Sequence, residues 1–294
     1  MKKIAVTYFE LLCKTNYRAI NLSLLRVCLC IWLLAGLCSD WFNAEFLYSK
    51  QAISLANQHT LASIHYQYYL FMLVYGVVII LQMLGIGRHT TAFLLYLLYY
   101  YHYHLDIAVV NGGDNICRYV LLFMTFANSY HHLTIYKYEP LADKDALLQN
   151  LLSNLAAFSI MIEICLLYCS SAIGKLQTAD WCNGEAVYYA FASERYGAVF
   201  VLKDYIKLGW LVKAATWSAL ALELCFPILI WIKKYRPFIL FAGLLLHVSI
   251  CVTMKLYSFQ VVMILLYIIF LEEATIKKWL NAVGLKYSSA IRVS

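Results

Sequence analysis

The feature that most limits how this chain can fold is a series of apolar runs, each about as long as a bilayer is thick. Helices need roughly 17–25 residues to cross the hydrocarbon core. Runs of this kind lie at Ile20–Leu37, Tyr68–Leu84, Thr91–Val110, Ile116–Leu133, Leu151–Ser170, Trp210–Ile232, Phe238–Met254 and Tyr257–Leu271. Only 13% of the 294 residues are charged and 63% are hydrophobic. Soluble domains carry about 25% charged residues, so that class is excluded. Backbone groups in lipid must bond to one another, which favours helices over open sheets. The expectation is an all-α, polytopic integral membrane protein of about eight transmembrane helices.

The net charge of +7 does not point to nucleic acid, because the basic residues are scattered over loop ends and form no stripe. They fit the positive-inside rule instead, with both termini cytoplasmic and membrane lipid as the surrounding partner. Three segments then face outward: Ser39–Gln67, the Asn111–Asp114 turn and Ser171–Gly209. The N-terminus lacks the features of a cleaved signal, so an uncleaved first span is expected. Most of the ten cysteines lie in apolar runs, where cysteine acts as a small hydrophobe. Cys38 and Cys182 would share the outer side and are candidates for a disulfide. Cys165 and Cys169 have no histidine with them, and His102 and His104 are poorly spaced for one ligand face, so no metal site is expected.

Chemistry concentrates at Ser171–Tyr189, SAIGKLQTADWCNGEAVYY. Lys175 stands where the fifth apolar run ends. A lysine there either snorkels to water or, if desolvated, becomes a usable base. Glu185–Phe200 suits a surface-lying helix with Tyr188, Phe191 and Tyr196 inward, and Lys203 and Lys207 follow on one face. Charges inside spans are costly and hence functional suspects. Glu163, Glu223 and His247 fall mid-span, with Glu223 and His247 the better pair on adjacent helices behind Lys175. Arg26 and Arg118 suit structural pairing or snorkelling. Asp114 and Arg118 are four apart at a helix start, which suits an ion pair and a dipole-stabilised carboxylate.

Gly174-Lys175-Leu176, Ala179-Asp180-Trp181 and Gly184 resemble the lysine–leucine–aspartate–tryptophan–glycine signature of the vitamin K-dependent gamma-carboxylase superfamily. Ala219–Leu224 resembles its acid-bearing helix, and Leu246–Val248 through Lys255–Phe259 its histidine-bearing hairpin. The resemblance covers a core of about residues 15–275 in one domain spanning 1–294. Asn111–Asp114 and Trp181–Tyr189 are most similar to the sporulation-delaying-protein-B type within the horizontally transferred transmembrane (HTTM) group.

The resemblance implies a bacterial cytoplasmic membrane protein that helps to mature a secreted antimicrobial peptide, with a small partner subunit conceivable beside it. It implies Lys175 as base, with His247, Glu223 and Asp114 as its catalytic companions. Trp181 and Gly184 would bind a cofactor, a reduced quinone of the vitamin K kind. Asp114 stands near the place where the carboxylases carry a histidine. The lysine-to-tryptophan spacing is one residue longer, and no large soluble domain follows the core. The expectation therefore carries over fold more firmly than reaction. A non-enzymatic export or immunity partner of a peptide toxin, and a true gamma-glutamyl carboxylase/epoxidase, remain the alternatives.

Overall fold

The computed structural model describes residues 10–47, 64–105, 112–136, 138, 142–192, 209–282 and 284. Every regular element among them is helical: α1 Ala19–Leu47, α2 Ile64–Leu84, α3 Arg88–Leu105, α4 Gly112–Phe126, α5 Asp143–Leu176, the single turn α6 Ala179–Cys182, α7 Ala186–Ala192, α8 Gly209–Leu229, α9 Arg236–Met254, α10 Tyr257–Leu266, a 3-10 turn Tyr267–Phe270, and α11 Glu273–Ala282. Residues 1–160 with 271–294 form one compact unit and 161–270 a second.

Four helical stretches are long and apolar enough to cross a bilayer: Ala19–Ala44, Asp143–Leu176, Gly209–Leu229 and Arg236–Met254. A fifth is reached if Tyr257–Phe270 and Glu273–Ala282 count as one broken span. This is an all-helical membrane protein with several candidate crossings. The other expected runs form shorter or more polar helices. The apolar part of α2 is Tyr68–Leu84. α3 carries His102 and His104 in its last turn. α4 has 15 residues, about 22 Å of rise.

The early end of α4 has a physical cause. The run expected to reach Leu133 contains Asn128, Ser129, His131 and His132, whose side chains compete for backbone partners. Asn128 N donates to Ser153 Oγ at 2.8 Å, and Ser153 Oγ donates in turn to Gln149 O. Arg26 draws off the carbonyls that follow. Arg26 is 2% exposed. Its Nε donates to Ser129 O at 3.2 Å, Nη1 to Gln82 O and Met83 O at 2.6 and 2.7 Å, and Nη2 to His132 O and Leu133 O at 3.3 and 2.6 Å. This satisfies all five guanidinium donors. Arg26 neither snorkels nor bonds a carboxylate; it staples the end of α2 to the loop after α4.

In the same unit α1 packs on α2, α2 on α3, α3 on α4, and α11 on α1. Leu271 O is held by Arg18 Nη1 and Asn21 Nδ2, both at 2.9 Å, which fixes the start of this return to α1. Asn154 Nδ2 binds Leu12 O and Thr15 O at 2.8 and 2.7 Å and so secures the chain ahead of α1. In the second unit α8 packs on α6, α7 and α9, and α9 on α10. The apolar faces left outward, with Phe238, Phe241, Leu245 and Val252 of α9 all exposed, suit contact with acyl chains.

Candidate functional site

Lys175 lies in the last turn of α5, where the helix dipole favours a cation. Thr178 Oγ1 donates to Lys175 O at 2.8 Å and closes that helix end. The chain then makes the single turn α6 and doubles back through Gly184, at φ +80°. A Cβ there would stand 3.0 Å from the Trp217 ring and 2.9 Å from Lys213 Cγ, so only glycine lets this turn lie on α8. Trp217 Nε1 donates to Cys182 O at 3.2 Å, and Val187 N to Thr216 Oγ1 at 3.2 Å. This clamp sets the Trp181 ring against Lys175, with Nζ 4.4 Å from the ring centroid.

Lys175 Nζ forms an ion pair and hydrogen bond with Glu223 Oε1 of α8. Glu223 is 7% exposed, and its second oxygen, Oε2, has no hydrogen-bond partner among the described residues. The lysine side chain keeps 22% exposure, so the pair has one half-open end and one buried end.

The expected partnership of Glu223 with His247 is not what forms. His247, 3% exposed on α9, receives a hydrogen bond at Nε2 from Tyr168 Oη at 2.7 Å. Its Nδ1 is bonded to Gln260 Oε1 of α10. An amide oxygen can only accept, so Nδ1 carries the ring proton and Nε2 is the acceptor. Tyr267 Oη donates to Tyr168 Oη, which completes a chain from Tyr267 through Tyr168 and His247 to Gln260. Phe226 stacks on Tyr168 with centroids 4.1 Å apart and on Tyr267 at 5.6 Å, walling the chain from solvent. Gly243 admits it: a Cβ there would lie 2.1 Å from Tyr267 Oη.

Lys175, Glu223, His247, Trp181 and Gly184 thus all belong to the second unit. Asp114 belongs to the first, where its Oδ1 accepts from Tyr99 Oη at 3.2 Å. Arg118 donates to Asn115 Oδ1 at 2.9 Å and to Tyr119 Oη at 3.1 Å, and lies 4.8 Å over the Tyr103 ring. His102 has Asp40 at 3.5 Å and stacks on Phe71. No group of three or more potential ligands for a metal occurs among the described residues.

Cys38, in the first unit, and Cys182, in the second, are exposed thiols, and Cys182 Sγ approaches Leu176 O at 3.4 Å. Tyr188 does not face inward but is 46% exposed, because the bond from Val187 N to Thr216 turns Ala186 onto α8. Tyr196, Lys203 and Lys207 lie outside the described residues. The sequence reading missed Tyr168, Gln260, Phe226 and Tyr267. Two of these carried a signal. Tyr168 stands seven residues before Lys175, two turns away on the same face, and Gln260 is a lone amide in an apolar run.

The arrangement offers chemistry of a definite kind. In low dielectric a lysine–carboxylate pair can shed both charges by moving one proton from Nζ to Oε1. Lys175 then holds a lone pair beside an indole face, and Glu223 holds the proton. The His247 chain meets α5 through Tyr168, two turns before Lys175, and Phe226 of α8, one turn after Glu223, stacks on Tyr168.

No family model matches this chain, and no solved structure does. Over 181 residues it is 28% identical to YitO, an uncharacterised protein of Bacillus subtilis (strain 168). The match covers 58% of this chain and 57% of that protein.

Proposed function

We propose that this chain is a multi-pass protein of a bacterial cytoplasmic membrane that helps to mature a secreted antimicrobial peptide by proton-transfer chemistry at Lys175. The observation that carries the reading is the half-buried Lys175–Glu223 pair under Trp181. Buried ionisable pairs in membrane helices are seldom kept for stability, since apolar residues of similar volume are often as good. The bacterial source of the similar protein supports the bacterial part of the reading. The reading keeps eight crossings with both termini cytoplasmic, Lys175 toward the outer face and a gamma-carboxylase-like, HTTM ancestry, on the resemblance of the motifs around Lys175, Glu223 and His247.

A reduced quinone is the cofactor that this ancestry implies. The residues present fit one: Trp181 offers a flat apolar face, and the Lys175–Glu223 pair a polar end with one carboxylate oxygen unpartnered. Such a group supplies an acidic O–H and reducing equivalents. Lys175 Nζ would take up a proton after passing its own to Glu223, and Trp181 would hold water away from the exchange. Asp114, in the first unit, is assigned no step.

Lys175→Ala in a producing strain, with mass spectrometry of the secreted peptide, tests the reading. The expected result is a peptide of altered mass or lost activity at normal membrane levels of the variant. An unchanged peptide would leave Lys175 without a catalytic role and favour a non-enzymatic export or immunity partner.

A further inference from the structure

Arg88 opens α3 in the first unit and is half-buried there. Its guanidinium lies over the Tyr138 ring, with Cζ 4.9 Å from the centroid, and Nη2 donates to Gln149 Oε1 at 3.3 Å. These two contacts fix the plane of the group. No other N–H of the five has a partner among the described residues, and Nε is buried as well as unbonded. A buried donor left unpaired is costly, and more so when it carries charge. Arg88 forms no ion pair among the described residues. The charges near it add to its own: it lies within electrostatic reach of His89 and His131, and His132 acts on His131 as well. His89 offers no relief, since its Nδ1 is bonded to Thr125 O at 2.8 Å and its Nε2 to the Gln149 amide. A carbonyl or a water would fill the donor and leave the charge unmatched. A phosphate matches both, because its oxygens fit the guanidinium fork and carry the opposite charge. The N-terminal end of α3 favours the same sign. Ile135 N bonds to Leu84 O at 3.1 Å, so the loop leading to Tyr138 passes the end of α2 with Ile135 and Tyr136 exposed.

We propose that Arg88 anchors a phosphate-binding site in the first unit, which takes the phosphate of a phospholipid headgroup or of a soluble phosphate compound. Arg88 supplies the fork, Tyr138 and Gln149 hold its plane, and the imidazoles add positive potential. The exposed Ile135 and Tyr136 are apolar surface suited to acyl chains, which favours the lipid as the source. The site is separate from Lys175 and Glu223, which belong to the second unit.

Dioleoyl phosphatidic acid and dioleoylglycerol differ only in the phosphate, so their binding to the full-length protein isolates its effect. Native mass spectrometry from an uncharged detergent should show phosphatidic acid bound at least about tenfold tighter, the scale of a charge-assisted hydrogen-bond pair. In Arg88→Gln the two lipids should bind within about threefold of each other. Arg88→Lys keeps the charge without the fork and should fall between. Arg118→Gln, which removes an arginine elsewhere in the same unit, should leave the preference unchanged. Calorimetry with inorganic phosphate separates the sources. Arg88-dependent phosphate binding without a preference between the lipids assigns the site to a soluble compound; a preference between the lipids assigns it to a headgroup. The proposal is overturned if the lipids bind alike and inorganic phosphate does not bind. It is equally overturned if either Arg88 variant keeps the full preference, or if Arg118→Gln removes as much of it as Arg88→Gln. Should the Arg88 variants fail to fold, phenylglyoxal labelling of the unmodified protein decides. Phosphatidic acid or inorganic phosphate should protect Arg88 and not Arg118, and equal labelling of Arg88 with and without them removes the site.

Discussion

Arg26 in the first unit and Lys175 in the second are both basic side chains on apolar helices, yet their surroundings differ in kind. Arg26 spends every N–H on a backbone carbonyl: Gln82, Met83, Ser129, His132 and Leu133. Its charge is matched by dipoles that hold a loop in shape, and no donor is left over. Lys175 faces one carboxylate and an indole, and its partner retains an oxygen without a bond. A buried cation with full backbone ligation is a structural staple. A buried ion pair with a spare acceptor is a site. Neither the residue type nor its depth tells the two apart; the accounting of donors and acceptors does.

The comparison can be broken at its strongest point first. Arg26→Met should remove all five of these hydrogen bonds and cost about 4 kcal/mol or more, read as loss of the folded species by size-exclusion in detergent. A well-folded Arg26→Met would show that the cage is not what shapes the loop. Lys175→Met/Glu223→Leu should keep the thermal midpoint close to that of the parent, because apolar replacement of a buried pair is often neutral. Peptide maturation should meanwhile fall about a hundredfold, the usual scale for a lost acid–base group. If that variant instead unfolds, the pair is a staple like Arg26 and the contrast disappears.

Gly243→Ala sharpens the second half of the comparison. Its Cβ falls 2.1 Å from Tyr267 Oη, so the tyrosine must move and release Tyr168. The expected cost is about 1–3 kcal/mol. A changed 15N signature of His247 should accompany it, and an unchanged one would detach the imidazole from the tyrosine chain. The smallest effect concerns the loop that Arg26 holds. Burial chiefly, helped by His132 and Arg88, lowers His131 below its usual 6.5. The folded protein therefore binds fewer protons there than the unfolded chain. Stability from this group is complete above about pH 6.5 and is lost as pH falls through the lowered folded value. Thermal midpoints at pH 7.5 and 5.5 should differ less in His131→Asn than in the parent. Equal differences would remove His131 from the account.

Much of the fold is legible in the residues alone. Leu151–Ser170, Trp210–Ile232 and Phe238–Met254 lie largely within α5, α8 and α9, because long uninterrupted apolar runs leave a backbone few alternatives to helix. Ile116–Leu133 was less legible. Its last third is polar enough to bond elsewhere, and the attractor, Arg26, lies a hundred residues away in sequence. Periodicity is local and cannot register such a partner. At the site, Lys175 and Glu223 stand out as charges within or at the ends of apolar runs, a one-dimensional signal. Which acid meets which base is not one-dimensional, and the expected Glu223–His247 pair gave way to Lys175–Glu223 and Tyr168–His247.

By itself, then, the sequence determined that this is a helical membrane protein and that Lys175, Glu223 and His247 are its anomalous residues, because hydropathy and misplaced charge are written residue by residue. Only the tertiary structure decided that Asp114 belongs to a different unit, that tyrosines and Gln260 occupy the imidazole, and that one oxygen of Glu223 remains to be used. Those outcomes depend on how helix faces turn toward one another, a matter of distances and directions between segments far apart in the chain.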